Sequence, residues 1–286
     1  MDSPLLPHFT SGLAEIAPRY RAILCDVWGV VHNGKSAFPP AVAALSAFRA
    51  AGGIVVLITN GPRPSWSIKL QLDDLGVVPA AYDAIVSSGD LAAAKLATMP
   101  GARVCHIGPE RDFVLYRDLP VTLTGPEEAD IVCCTGLVNE YTEMPEDYDP
   151  QLRAMRARDL PFLCANPDIW VEAGNRLIPC AGALAERYRA IGGATTILGK
   201  PHPEIYALAL ARIDAIAGGP VPRDMILAIG DGAHTDIRGA NLTGLPVLFI
   251  TGGIHAGEYG DDAERVRGFL ARSEVRADAM MPRLTW

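Results

Sequence analysis

The sequence predicts an α/β protein, a doubly wound parallel sheet interrupted by a second, smaller α/β domain. Short apolar runs at Ile23–Val31, Ile54–Ile58 and Met225–Ile229 suit strands buried on both faces. Helical stretches alternate with such runs over short links, the order that builds parallel βαβ units. The chemistry-bearing clusters stop near residue 61 and resume at residue 199, and that gap holds enough chain for a domain of its own. The expected division is therefore 1–82 and 197–286 for the main domain and 83–196 for the insert.

Each element has a local reason. Residues 1–20 read as a lead-in with a short helix after Thr10 or Ser11. The strand Ile23–Val31 delivers one carboxylate, Asp26, and then turns sharply at a glycine. Pro39-Pro40 starts a helix carrying Val42, Leu45 and Phe48 on its apolar side and closed by Gly52-Gly53. Ile54–Ile58 ends in Thr59-Asn60-Gly61, and a helix over 64–75 follows. Ile85-Val86 with Ser87-Ser88-Gly89-Asp90 opens the insert. Its strands are expected at 104–107, 131–134 and 162–164, and its helices near 90–97, 151–158 and 182–191. Glu140–Pro150 reads as a surface loop, and the aromatic residues of the insert, Trp170 among them, as its core.

The main sheet is expected to resume with Thr196-Ile197-Leu198. A helix then turns Ile205, Leu208, Ile213 and Ile216 toward the core. Met225–Ile229 runs into Gly230–Asp236. A helix near 237–242, a strand at 246–250, the glycine-rich loop 251–257, a helix near 262–272 and a last strand around Ala279 complete the chain.

Composition narrows the function. With 49% hydrophobic and 20% charged residues the chain is globular. The net charge, 25 − 33 = −8, comes without a basic block, which argues against nucleic acid as a partner. The longest apolar runs fall far short of the roughly 20 residues that span a bilayer, and no cationic segment followed by an apolar one opens the chain. The cytoplasm is the expected location. Cys25, Cys105, Cys133, Cys134, Cys164 and Cys180 form no CxxC or Cys/His zinc spacing, so they read as small hydrophobes.

Four polar clusters share one address. Asp26, Thr59-Asn60, Lys200 and Asp231/Asp236 each follow or end an apolar strand, the edge of a parallel sheet where ligands bind. Asp26 and Asp231 make a hard oxygen site suited to Mg²⁺. Asp236 could orient a metal-bound water or hold Lys200. The Thr59 hydroxyl and the N–H groups of Asn60 and Gly61 can hold phosphoryl oxygens, and Lys200 adds a point charge for them or screens Asp26. Attack by a carboxylate on a phosphate needs such help against like-charge repulsion.

Asp26 in DVWG, Thr59-Asn60, Gly199-Lys200-Pro201 and the GDxxxTD run Gly230–Asp236 resemble the four motifs of the haloacid dehalogenase (HAD) superfamily. The long insert, with Ala165-Asn166-Pro167-Asp168 inside it and GKPHPEIY after it, is similar to the NagD-like class IIA phosphatases. The resemblance implies a Rossmann-like core with an inserted C2-type α/β cap. It implies a Mg²⁺-dependent phosphohydrolase that removes phosphate from a small phosphorylated metabolite through an aspartyl-phosphate on Asp26. The metal ligands would be Asp26, the backbone carbonyl of Trp28, Asp231 and Asp236, while Asn166 and Asp168 would face the substrate from the cap. A homodimer through the cap is a further expectation.

One position departs from the pattern. Phosphatases of this superfamily carry a second Asp two residues after the nucleophile as general acid and base; here it is Trp28. General acid–base catalysis is worth about 10² to 10⁴ in rate. Three explanations stand: a substrate with a good leaving group, a proton supplied by His32, His202 or His234, or a phosphate-binding pseudoenzyme with little activity. The C–P-cleaving members use a cap lysine, for which the insert offers only Lys95, and dehalogenases need no metal of the kind Asp231 and Asp236 imply.

Overall fold

The computed structural model describes residues 8–173, 176–260 and 262–286. In chain order its strands are β1 (His8–Phe9), β2 (Ala22–Asp26), β3 (Ile54–Thr59), β4 (Ala84–Ser87), β5 (Arg103–Ile107), β6 (Thr122–Leu123), β7 (Ile131–Cys134), β8 (Phe162–Cys164), β9 (Trp170–Ala173), β10 (Arg176–Pro179), β11 (Thr195–Ile197), β12 (Ile226–Gly230), β13 (Val247–Ile250) and β14 (Ala279–Met281). The helices are α1 (Leu13–Ile16), α2 (Pro39–Ala50), α3 (Ser65–Asp74), α4 (Ser88–Ala97), α5 (Asp149–Ala157), α6 (Ala181–Ala190), α7 (Pro203–Ala217), α8 (Arg238–Thr243), α9 (Ala256–Tyr259) and α10 (Ala263–Arg272).

The chain forms two compact units. The first comprises residues up to Thr59, Lys69–Val86 and Tyr206–Trp286; the second comprises Asn60–Ile68 and Ser87–Ile205. The first is built on a seven-stranded sheet in the order β1-β14-β13-β12-β2-β3-β4. From β1 through β14, β13, β12 and β2 to β3 its neighbouring strands run parallel. Strands β2, β12 and β13 are buried at every position, which is why their sequences are apolar without alternation. Each such Leu, Ile or Val contributes about 1.5–3 kcal/mol on burial. The second unit holds a five-stranded parallel sheet, β11-β8-β7-β5-β6, and the antiparallel hairpin β9-β10. Its core packs Val132, Phe162, Leu184 and Tyr188 around the buried thiols of Cys105, Cys134 and Cys164.

Several expected elements move. The first strand ends at Asp26 instead of Val31, because Val31 N–H donates to Val27 O and Gly29 N–H to His32 O. Gly29 and Gly34, at φ +87° and +83°, let the chain reverse there. Residues Ala84–Ser87 extend the first sheet beside β3. Residues Thr195–Ile197 pair with β8 as an edge of the second sheet, not with the main one. Three half-exposed residues carry too little pattern to say which sheet they join.

Within 140–150 lie the turn Pro145–Tyr148, with Tyr148 buried, and the start of α5, so this stretch is more than a surface loop. The core side of α7 is Ile205, Tyr206, Ala209, Leu210 and Ile213, while Ile216 is exposed. Trp170, expected in the core, is 38% exposed. Among the described residues no helix is long and apolar enough to cross a membrane.

Candidate active site

In the first unit, register brings the acidic residues to one edge. Cys25 pairs with Ile229, which puts Asp26, the last residue of β2, level with Gly230, and Asp231 one step beyond. On the other side Asp26 pairs with Ile58, so Thr59 ends β3 one step further. Asp236 returns to this edge on the single wide turn Ala233–Ile237. Ligand oxygens of Asp26, Asp231 and Asp236 all lie within 4.8 Å of one another, and all three residues are buried.

Three buried carboxylates at this spacing repel one another, and a divalent cation among them turns the repulsion into binding. The surroundings are built for them. Ile254 N–H donates to Asp231 Oδ2 at 2.9 Å, and Gly232 N–H to Asp236 Oδ2 at 3.0 Å. A Cβ on Gly29 would lie 2.3 Å from Asp231 Oδ2, and one on Gly253 2.0 Å from the same atom. Both positions must therefore be glycine, and the former sets the backbone next to Trp28 against the carboxylate. The oxygen donors of Asp26, Asp231 and Asp236, with this cradle around them, fit a hard divalent cation such as Mg²⁺. The bond from Ile254 is not legible in the sequence, where 251–257 shows only as a glycine-rich loop; nothing short of the fold brings that loop to Asp231.

The Trp28 indole is fixed by its own loop. Its ring meets His32 edge-on at 5.1 Å, and a Cβ on Gly34 would fall 2.6 Å from its Cη2. His32 is 2% exposed, and its Nδ1 accepts Gly34 N–H at 2.9 Å. Burial pushes its pKa down to about 4, so at neutral pH the ring is uncharged with the proton on Nε2. A neutral donor of this kind is a poor acid, which removes the case for His32 as the substitute proton source. His234 is exposed and edge-on to His255 at 6.3 Å, whose Nδ1 lies 2.7 Å from Glu258 Oε1. His202 is half-buried, with its N–H on Gly199 O.

In the second unit, Asn60 is a junction. Its Nδ2 donates to Asp168 Oδ1 at 2.7 Å, and its Oδ1 accepts Lys200 N–H at 2.8 Å. Asn166 Oδ1 accepts Asp168 N–H at 3.1 Å, the Asn-Pro-Asp turn that its sequence allows. Lys200 is 3% exposed. Gly199, at φ +119°, has no room for a side chain: a Cβ would meet Ser88 Oγ at 2.3 Å, Asn60 Oδ1 at 2.7 Å and Pro167 Cδ at 2.8 Å.

A clamp on Gly61 and its neighbours is likewise missing from the sequence reading. Gly89 N–H donates to Gly61 O and Ser87 Oγ to Arg63 O, while Asp90 accepts Ser65 N–H at 2.8 Å and Ser87 N–H at 3.0 Å. The signal was present as Ser87-x-x-Asp90, a capping-box spacing at the start of α4.

Family models match two stretches of the chain: "Haloacid dehalogenase-like hydrolase" over residues 23–119 and a HAD-hydrolase-like model over 197–273. A crystal structure described as a hydrolase of the haloacid dehalogenase-like family from Brucella suis 1330 is 47% identical, covers 97% of this chain and 100% of its own, and superposes with a TM-score of 0.88. The D-glycerol 3-phosphate phosphatase of Mycobacterium tuberculosis is 29% identical over 89% of this chain and 69% of its own. Its glycerol phosphate phosphatase structure in complex with magnesium, 27% identical over 90% and 74% of the two chains, gives a TM-score of 0.64. Ribonucleotide monophosphatase NagD of Escherichia coli K12 is 25% identical over 81% of this chain and 88% of its own.

Proposed function

The chain belongs to the haloacid dehalogenase-like hydrolase family, in its NagD-like class IIA branch, and from that premise we propose that it is a Mg²⁺-dependent phosphomonoester hydrolase acting on a small phosphorylated metabolite through Asp26. The observation that carries the reading is the group Asp26, Asp231 and Asp236 at the edge of the first sheet. Two relatives named as phosphatases, one of them crystallised with magnesium, support it.

Bound Mg²⁺ would supply charge to offset the phosphate dianion. Asp26 then acts as nucleophile, its carboxylate oxygen forming a bond to phosphorus as the bond to the leaving oxygen breaks. Thr59 at the end of β3 and the N–H groups of Asn60 and Gly61 hold phosphoryl oxygens, and Lys200 supplies positive charge. The Asn60 side chain is engaged by Asp168 and Lys200, so its backbone, not its amide, is the group assigned to phosphate. Asn166 and Asp168 are assigned to substrate binding, with Asn166 Oδ1 accepting Asp168 N–H in the turn that presents Asp168. The acidic composition and the absence of a membrane-crossing helix among the described residues support a cytoplasmic enzyme. Exposed Tyr141, Met144, Trp170 and Leu177, which line one shallow cleft of the second unit, support a homodimer through it.

Trp28 favours a second reading, a phosphate-ligand-binding pseudoenzyme of the same fold. Phosphate release from an aryl and an alkyl phosphate, with Mg²⁺ and with chelator, separates the two. The enzyme reading expects metal-dependent release from the aryl ester at least. No release from either at micromolar protein, together with retained phosphate binding, leaves the pseudoenzyme.

A further inference from the structure

Position 28 decides more than the rate of the first step. A phosphoryl transfer through Asp26 has two halves with different proton requirements. In the first, Asp26 Oδ bonds to phosphorus and the leaving oxygen departs with its electron pair; an aryl oxide or a carboxylate needs no proton to leave at neutral pH. In the second, a water oxygen bonds to phosphorus, the bond to Asp26 breaks, and the proton of that water has to be taken up by a base.

No such base stands two residues along from Asp26. Trp28 has no proton acceptor, and its indole packs edge-on against the His32 ring with its Cη2 close against Gly34. His32 is enclosed, with Nδ1 already accepting Gly34 N–H. The carboxylates grouped with Asp26 are Asp231 and Asp236, and a cation bound there commits both. We propose that with donors carrying a good leaving group the second half is the slow one, so that the chain accumulates as an aspartyl-phosphate on Asp26 during turnover. This rests on the phosphohydrolase reading above and specifies how that reaction behaves in this chain.

The consequence is a burst. Mixed rapidly with 4-nitrophenyl phosphate and Mg²⁺, the wild-type protein releases close to one equivalent of nitrophenol per chain before a slower steady rate, and intact-mass measurement of the quenched protein shows the gain of one phosphoryl group. Asp26→Asn shows neither. Trp28→Asp restores an acceptor at that position and shortens the life of the phosphoprotein by about 10²- to 10⁴-fold, the worth of a positioned base, which abolishes the burst. Linear release from the first turnover, with no phosphoprotein in the wild type, overturns the inference and leaves the phosphohydrolase reading standing; absence of any metal-dependent release overturns both. The wild-type burst and mass decide the matter even if Trp28→Asp fails to fold.

Discussion

The two sheets are built alike and end differently. Both are parallel stacks of short strands with buried apolar residues. The first delivers carboxylates at its C-terminal edge, Asp26 from β2 and Asp231 after β12, with Asp236 folded back beside them. In the second, Thr135 follows β7, Ala165-Asn166 follows β8 and Leu198-Gly199-Lys200 follows β11. Its polar groups answer one another, as Asn60 with Asp168 and Lys200. It also carries four cysteines inside strands, all buried and free, with burial pushing Cys133 and Cys164 up to about 12. Such thiols are inert. A parallel sheet is thus a neutral scaffold. What differs is the set of groups brought together just past the strands: three carboxylates within 4.8 Å of one another in the first sheet, and amide, backbone and carboxylate groups bonded to one another in the second.

The sharpest way to break this comparison is to remove one carboxylate of the first edge. Asp26→Asn should lower phosphate release by at least about 10⁴-fold, since the nucleophile is lost. It should also leave the melting temperature equal or higher, because one of three mutually repelling buried charges is gone. Thermal melts beside phosphate-release assays check both. A melting temperature that collapses with the activity would make Asp26 a structural residue like those of the second edge.

The legibility of the chain follows the same divide. The fold of the first unit and its acidic edge are readable because β2, β3 and β12 are apolar up to their last residue, and the polar residues fall at or just past the strand ends. The second sheet's strands β7 and β8 are readable for the same reason, and β5 from Val104, Cys105 and Ile107, although Arg103 is exposed and His106 half-buried. What escapes is pairing at the margins. The edge strand β11 is half-exposed, β6 and β1 have two residues each, and the hairpin β9-β10 exposes Trp170 and Leu177. Such segments carry no period strong enough to choose a partner. The contacts of the 251–255 loop with Asp231 and of Asp168 with Asn60 join residues 23 and 108 positions apart, a separation over which sequence pattern is silent.

A smaller effect separates the edges by pH. Burial holds His32 at about 4 in the folded chain, against an ordinary value of 6.5. Between those values the unfolded chain takes up a proton that the folded chain refuses. His32 therefore costs nothing above pH 6.5, and stability falls as pH drops toward 4, by roughly 3 kcal/mol at about 1.4 kcal/mol per unit. His32→Asn should flatten that part of the stability curve in urea melts across this range. An identical acid slope in wild type and variant would show that His32 is not what gives way.

In the second unit, Asp90→Ala removes the acceptor of Ser65 N–H and Ser87 N–H at the start of α4. The cost should be that of a lost cap, about 0.5–2 kcal/mol. Because the same segment holds Gly61 and Arg63, the variant should also bind inorganic phosphate more weakly while its Mg²⁺-dependent rise in melting temperature is kept. Equal losses of both would place Asp90 in general stability alone.

The smallest effect tests whether a displaced pKa is enough to matter. Asp130, beside β7, accepts Arg103 N–H at 2.9 Å and its guanidinium at 2.7 Å, and these bonds hold its carboxyl down to about 2. Both side chains are nearly half exposed, so solvent and salt screen the pair and the ordering of two long side chains offsets the attraction. Asp130→Asn should therefore leave the urea midpoint where it was, although Asp130 in the wild type titrates well below an ordinary aspartate. A marked loss of stability that vanishes at high salt would show that the second unit, too, depends on charge held at its strand margins, and the contrast with the buried carboxylates of the first unit would narrow to a difference of burial.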